Sequence, residues 1–222
     1  YMSVNYNGTL NILDAIKNFS KNTKIIIPGS GEEYGEVLKK KLPINNNTVL
    51  SPVNPYAVTK IAQDLINYVY FKSYGTKVIR TRTFNHEGSR RENVFGISSY
   101  AYQIARIEKG LQKPVIKVGI LTDKRNFTHV KDITRAYWLA SEKCKVGELY
   151  LIGNEKKNSI FTFKQVLEML IKLSTKKNIK YKEYKPFVRP TKVPYLIADI
   201  SKFKKITKWK PVYGIKDILL DT

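Results

Sequence analysis

Apolar residues recur near helical spacing over residues 2–19, where Leu10, Leu13 and Ile16, with Ile12 beside them, mark one face. The pattern breaks at Asn22-Thr23. Lys24-Ile25-Ile26-Ile27-Pro28 is a short β-branched run that predicts a buried strand. It stops at Gly29-Ser30-Gly31, which reads as a loop. Residues 36–55, rich in Asn and Pro, read as an irregular surface excursion. A second long helix is predicted over 56–74, with Ile61, Leu65, Ile66, Val69 and Tyr70 on or near one face and Gly75 as its C-cap. Lys77 to Phe84 alternates as a strand.

Further along, residues 97–109 predict a helix ending at Gly110, and Pro114 to Val118 a strand. Asn126 to His129 is short and extended, and Val130 to Lys143 helical. Glu148 to Ile152 is a strand, and Phe163 to Leu173 a helix with Thr162 as its N-cap. Ile179 to Tyr184 is a strand, and the remainder is Pro-punctuated with short helical pieces. Over roughly the first eighty residues helix and strand alternate, which argues for an α/β fold, a parallel sheet with helices on its faces. No flexible linker interrupts the chain, so a second domain must pack against the first.

The 222 residues are enough to bury a substantial core, and 42% hydrophobic with 26% charged is an ordinary globular balance that excludes wholesale disorder. No uncharged apolar run approaches the roughly 20 residues that span a bilayer, so no membrane partner is expected. The opening residues show no basic segment leading into an apolar one, and the single Cys144 suits a reducing compartment, so the expected location is cytoplasmic. The net charge of +22 raises the question of nucleic acid. The lysines, however, are scattered through every segment, and the longest basic run is Lys39-Lys40-Lys41. A Lys-rich surface of biased composition fits this better than a nucleic-acid binder, and a weaker reading is that the charge steers an anionic small substrate.

Three stretches carry candidate chemistry. Ser30-Gly31-Glu32-Glu33-Tyr34-Gly35 follows a predicted strand at the sheet edge where α/β proteins bind ligands, and offers a hydroxyl donor and carboxylates. By itself a polar loop in that place is a solvated turn. Tyr56 and Lys60, four residues apart, share a helix face. An ammonium beside a phenol is expected to lower its pKa from near 10, which would make the pair an acid/base unit. Tyr and Lys at this spacing also occur by chance on many helices. Phe84-Asn85-His86-Glu87-Gly88-Ser89-Arg90-Arg91 follows the next strand, and paired arginines suit phosphate or carboxylate recognition.

In this order, strand–Ser, helix–Tyr-Lys, strand–Asn-His, the chain resembles the extended short-chain dehydrogenase/reductase (epimerase/dehydratase) family of nucleotide-sugar enzymes. The resemblance runs from Asn5-Tyr6-Asn7-Gly8-Thr9 to Trp209-Lys210-Pro211. Within that family, Asn85-His86-Glu87 with Arg90-Arg91, and Lys124 to Asp132, are most similar to the GDP-mannose 4,6-dehydratases. Glu32-Glu33-Tyr34-Gly35 and Arg189-Pro190-Thr191-Lys192-Val193-Pro194 are also similar to the GDP-6-deoxy-4-keto-mannose reductases.

The resemblance implies a Rossmann-like parallel sheet without its amino-terminal part, and a smaller α/β substrate-binding domain. Residues 1–90 would form the carboxyl-terminal half of the dinucleotide-binding domain. Residues 91–222 would mainly bind substrate, with about 120–145 packing back on the first part. It further implies conversion of GDP-mannose to GDP-4-keto-6-deoxymannose by internal hydride transfer through NADP, with NAD as the alternative. Ser30 would hold the sugar C4 oxygen, Tyr56 take the C4 hydroxyl proton, and Lys60 hold the cofactor ribose and tune Tyr56. Glu32 would remove the C5 proton, His86 and Arg91 contact NADP, and Asn85, Arg125 and Arg189 bind substrate, the two arginines at its diphosphate. The partner would be another copy of the chain, a homodimer through the first helix and the Tyr56 helix, or a homotetramer near Arg90-Arg91. The chemistry needs no metal, and two distant histidines, His86 and His129, give no ligand spacing.

The alternatives are a 4-keto reductase, which needs no base at C5, another nucleotide-sugar epimerase or dehydratase, and a non-catalytic remnant. The last arises because the family's Gly-rich pyrophosphate loop is absent. Gly29-Ser30-Gly31 does not replace it, because it precedes a polar loop and not a helix start. The chain does not open with Met either, and the expectation is a longer native protein. Smaller departures are Asn126 after Arg125, where many relatives carry Asp, and Gly88-Ser89 in place of Ser-Pro or Gly-Pro.

Overall fold

The computed structural model describes residues 1–155, 157–191 and 193–222. In chain order the elements are α1 (Gly8–Phe19), β1 (Lys24–Ser30), α2 (Pro55–Tyr74), β2 (Lys77–Thr83), β3 (His86–Glu87) and α3 (Gly96–Glu108). Next come β4 (Val115–Val118), β5 (Lys124–Asn126), β6 (Thr128–His129), α4 (Val130–Lys143), β7 (Leu149–Ile152) and β8 (Ile160–Thr162). The chain ends with α5 (Phe163–Leu173), β9 (Lys180–Glu183), β10 (Tyr195–Leu196), α6 (Ser201–Thr207) and α7 (Ile215–Asp221). Each predicted helix and strand has a counterpart. A wider, π-type winding over Met2–Asn7 precedes α1 where an ordinary helix was expected.

The sheet that positions the site has the order β1-β2-β7 among the described residues, with both pairings parallel. The register runs from Lys24 opposite Lys77 to Ser30 opposite Thr83, and Thr83 in turn lies opposite Ile152. β1 therefore runs on past Pro28, where the sequence predicts its end, and delivers Ser30 directly to the carboxyl edge. The predicted loop is instead a single 3₁₀ turn, Gly31–Tyr34, capped by Ser30 in a reciprocal box with Glu33. Gly35 closes it at φ +58°, where an added Cβ would overlap the Ser51 carbonyl. Residues 36–55 are irregular as expected but anchored: Val37 and Ile44 are buried, and the backbone of Ile44 bonds that of Ile197 and Asp199.

α2 starts where sequence chemistry places it. The Asn54 side chain accepts from Ala57 N at 2.8 Å, Pro55 occupies the first turn, and Gly75 ends the helix in the left-handed region. Its buried face is only partly the one predicted: Tyr70 is buried and Ile66 packs beside it. Leu65 and Val69 are exposed, while Gln63, Asp64 and Asn67 are buried. These polar side chains are held by specific bonds: Gln63 donates to Thr9 Oγ1, Asp64 pairs with Arg80 and Arg82, and the Asn67 amide nitrogen donates to the Gln63 carbonyl, its oxygen alone staying unpaired among the described residues. Satisfied hydrogen bonds, not hydropathy, decide which side faces the sheet.

Two large cores result. One gathers Ile79, Phe84, Ile133, Ala136, Tyr150, Ile152, Phe203 and Trp209 around the sheet, and so takes in β7, α4 and α6. The other holds Ile97, Ile104, Ile116, Phe127, Val166, Leu167 and Ile218. A smaller cluster of Leu13, Ile27, Tyr70 and Val78 joins α1 and α2 to β1 and β2. Within 120–145, Phe127 belongs to the second core and Ile133 to Cys144 to the first. None of the helices among the described residues is long and apolar enough to cross a membrane.

Asp132, fully buried on α4, ties the carboxyl-terminal segment down. Its carboxylate accepts from Val212 N at 2.9 Å, Tyr213 N at 3.1 Å and Arg135 at 2.6 Å, and its carbonyl accepts from Trp209 Nε1 at 3.2 Å. Asp132→Ala is expected to cost about 2 kcal/mol in urea unfolding, and Asp132→Asn less, because an amide oxygen still accepts. An alanine variant as stable as the parent would show that these bonds contribute nothing.

Candidate active site

The carboxyl edge of β1 and β2 brings together Ser30 on the strand end, Glu32 on the 3₁₀ turn, Tyr56 and Lys60 on α2, and the chain from Asn85 to Arg91. Ser30, Glu32, Tyr56, Lys60, Asn85, His86 and Arg91 are all half-buried, so each has both support and access. The Ser30 hydroxyl stands close enough to the Tyr56 phenol to pull its pKa down. Ser30 Oγ also accepts from Glu32 N at 3.2 Å.

The two neighbouring carboxylates go separate ways. Glu32 turns toward the opening, where Asn54 Nδ2 donates to its Oε2 at 3.2 Å, and its charge acts on Tyr56 and Arg125. Glu33 turns inward. It accepts from Ser30 N at 2.7 Å and from Arg82 Nε at 2.6 Å. Burial pushes its carboxyl up to about 7 against the pull of Arg82. The Arg82 guanidinium is held protonated: burial opposes its charge, but Glu33, Tyr34 and Asp64 outweigh that.

The lowering of Tyr56 expected from Lys60 does not prevail. Burial raises the phenol above its ordinary value, and Glu32 and Glu33 add to the rise; only Ser30 and Arg91 pull it down. Lys60 Nζ instead donates to the Pro28 carbonyl at 2.9 Å and to Gln63 Oε1 at 2.8 Å, and stands 6.0 Å from the Tyr56 ring centroid. Burial also lowers the ammonium itself, against the opposing charge of Glu33.

His86 Nδ1 lies 2.9 Å from the Phe84 carbonyl, which can only accept, so that nitrogen carries the proton. Burial lowers the imidazole below its usual value and Arg91 adds to this, which leaves the ring neutral near pH 7. Arg91 donates to the His86 carbonyl at 3.1 Å, faces Glu87 at 3.2 Å and stacks over Phe95 at 4.0 Å. Burial pushes Glu87 up to about 7 despite Arg91. Asn85 contributes its carbonyl to Thr128 N, which fixes this stretch beside β6.

Arg125 is buried, with Asp123 at 3.3 Å and the Lys124 carbonyl at 2.9 Å. Burial lowers it, Asp123 and Glu32 oppose this, and Arg189 adds to the lowering, which places Arg189 near it. Arg189 itself is exposed. Lys192 of the same motif lies outside the described residues. Ser30, Glu32 and Arg91 act electrostatically on Tyr56, Glu32 and Arg189 on Arg125, and Arg91 donates to the His86 carbonyl.

Sequence reasoning missed four contributors. Asn54 signals a helix start but not its bond to Glu32. Glu33 was not told apart from Glu32 in the same loop, and Arg82 carried no signal of its own. Tyr137 on α4 hydrogen-bonds Thr83 at 2.7 Å and acts electrostatically on Tyr56, with no sequence signal at all.

The architecture is α/β with a parallel, Rossmann-like sheet. Over residues 1–222 the chain matches the family described as GDP-mannose 4,6 dehydratase. It is 29% identical over 218 residues to GDP-6-deoxy-D-mannose reductase of Pseudomonas aeruginosa, an overlap of 98% of this chain and 70% of that one. It is 27% identical over 216 residues to GDP-mannose 4,6 dehydratase 1 of Arabidopsis thaliana, covering 96% of this chain but 58% of the relative. Its structure is similar to that of RMD from Pseudomonas aeruginosa complexed with NADPH, with a TM-score of 0.91 and 28% identity over 99% of this chain and 72% of that one. The parallel sheet and the family match over residues 1–222 lead to one assignment: the chain belongs to the GDP-mannose 4,6-dehydratase family.

Proposed function

We propose that this chain forms the catalytic part of an NADP-dependent nucleotide-sugar dehydratase that converts GDP-mannose to GDP-4-keto-6-deoxymannose. The observation that carries the reading is Glu32: a half-buried carboxylate, held by Asn54, next to the Ser30–Tyr56 pair and facing Arg125.

The residues suit the cofactor. Lys60 uses two of its three N–H groups on Pro28 and Gln63, which leaves one for a ribose hydroxyl. The neutral His86 keeps an Nε2 lone pair for a hydroxyl donor, and Arg91 brings positive charge beside it. When bound, the nicotinamide of NADP, or of NAD as the alternative, supplies the hydride acceptor and donor. In this reading Ser30 holds the sugar C4 oxygen and Tyr56 takes the proton of the C4 hydroxyl. A ketone at C4 acidifies C5–H, and Glu32 removes that proton as water leaves C6. Arg125 and Arg189 hold the substrate diphosphate, and Asn85 borders the sugar. Ile12 on α1 and Val58, Leu65 and Val69 on α2 are exposed, and we assign these faces to self-association.

The second reading is a 4-keto-sugar reductase, favoured by the similarity to the Pseudomonas aeruginosa reductase. It uses Ser30, Tyr56 and Lys60 alone.

Turnover by the full-length protein separates the two. With GDP-mannose, the dehydratase forms the 4-keto-6-deoxy sugar without net NADPH consumption, whereas the reductase oxidises NADPH stoichiometrically with the keto sugar. No product from any nucleotide hexose would contradict both. Tyr56→Phe is expected to lower kcat by about 10²–10⁴-fold with an unchanged melting temperature. Glu32→Gln should abolish elimination; normal dehydration by that variant would remove Glu32 from its role, and intact reductase turnover would favour the second reading.

A further inference from the structure

We propose that Arg82 is a positioning residue, a buried guanidinium that fixes the spacing between the turn bearing Ser30 and Glu32 and the helix bearing Tyr56 and Lys60. The inference rests on the proposed function above, because it concerns how that site is assembled.

Arg82 lies on β2 and is 5% exposed. Each nitrogen of its fork has a different partner. Nε donates to Glu33 at 2.6 Å, on the turn; Nη1 donates to the Tyr34 hydroxyl at 3.0 Å, also on the turn; Nη2 donates to Asp64 at 2.6 Å, on α2. Glu33 passes the constraint on, since its other oxygen accepts from Ser30 N at 2.7 Å. Asp64 stands one helical turn beyond Lys60 and is held from its other side by Arg80 at 3.2 Å. One planar group thus touches both halves of the site without reaching its opening.

As a stabiliser the triad is a poor choice. Desolvating three charges cancels most of their attraction, and apolar residues of similar volume do as well or better. What apolar residues cannot supply is a rigid fork with fixed directions to two elements at once. The chain also makes room for it: a Cβ on Gly29 would stand 2.7 Å from Glu33 Oε1 and 3.3 Å from Arg82 Cγ. What depends on this spacing is the approach of the Ser30 hydroxyl, on the turn, to the Tyr56 phenol, on the helix.

Two variants of the full-length protein test the idea. Arg82→Lys keeps the charge but cannot bridge, and Asp64→Asn weakens only the α2 arm and serves if the lysine variant does not fold. With fluorotyrosine incorporated, ¹⁹F NMR follows the Tyr56 titration, its resonance assigned by its loss in Tyr56→Phe. The Tyr56 midpoint is expected to move up, because the Ser30 hydroxyl that lowers it moves away. In turnover, kcat should fall about 10- to 100-fold with KM changed less than about 3-fold. A folded variant whose Tyr56 midpoint stays at the parental value overturns the proposal, whatever its melting temperature or kcat. A parent that turns over no nucleotide sugar would contradict the proposed function, while the Tyr56 midpoint would still decide the role of Arg82.

Discussion

A carboxylate taken out of water has to be paired, and at Glu33 this requirement shapes the whole sheet edge. Its two oxygens are divided between the Ser30 amide and the Arg82 guanidinium. The first bond turns the chain sharply at the end of β1, and the second anchors that turn to β2. Because Glu33 is drawn inward, Glu32 is left facing the opening, and the strand end presents Ser30 to the helix that carries Tyr56. The arrangement of every reactive group follows from one buried acid finding its partners.

The electrostatics of the opening follow from the same separation. Burial pushes the Tyr56 phenol up and the Lys60 ammonium down, and the nearby carboxylates push the phenol further up. Ser30 and Arg91 work against this on the phenol. In the proposed dehydratase, Tyr56 therefore depends on its hydroxyl neighbour and on the Arg91 side more than on the ammonium one turn along its helix. Arg125 and Arg189 concentrate positive charge near Glu32, within a chain whose overall charge is +22. In the proposed function such a field draws in the substrate diphosphate.

Much of the fold was legible because local chemistry marks boundaries. Asn54 and Pro55 start α2, Gly75 ends it, and the capping box of Thr162 and Gln165 starts α5. The alternation of helix and strand announced the parallel sheet, though not that β7 would be its third strand, since strand order is set by contacts between distant segments. The face of α2 was partly misread for the same reason. Leu65 and Val69 outrank Gln63 and Asp64 in hydropathy, but Thr9 and Arg82, far away in sequence, supply the bonds that reverse the ranking. At the site, Ser30, Glu32, Tyr56 and Lys60 were visible through spacing and resemblance. Arg82 was not, because an arginine in an alternating strand looks solvent-facing until its partners are placed.

The most direct measurement is a crystal structure of the full-length protein with NADP and GDP-mannose. The sugar C4 oxygen should lie within hydrogen-bond reach of both Ser30 and Tyr56, with Glu32 facing C5 and the diphosphate on Arg125 and Arg189. A nucleotide sugar bound elsewhere, with these side chains touching none of it, would contradict the catalytic reading of the β1–α2 edge.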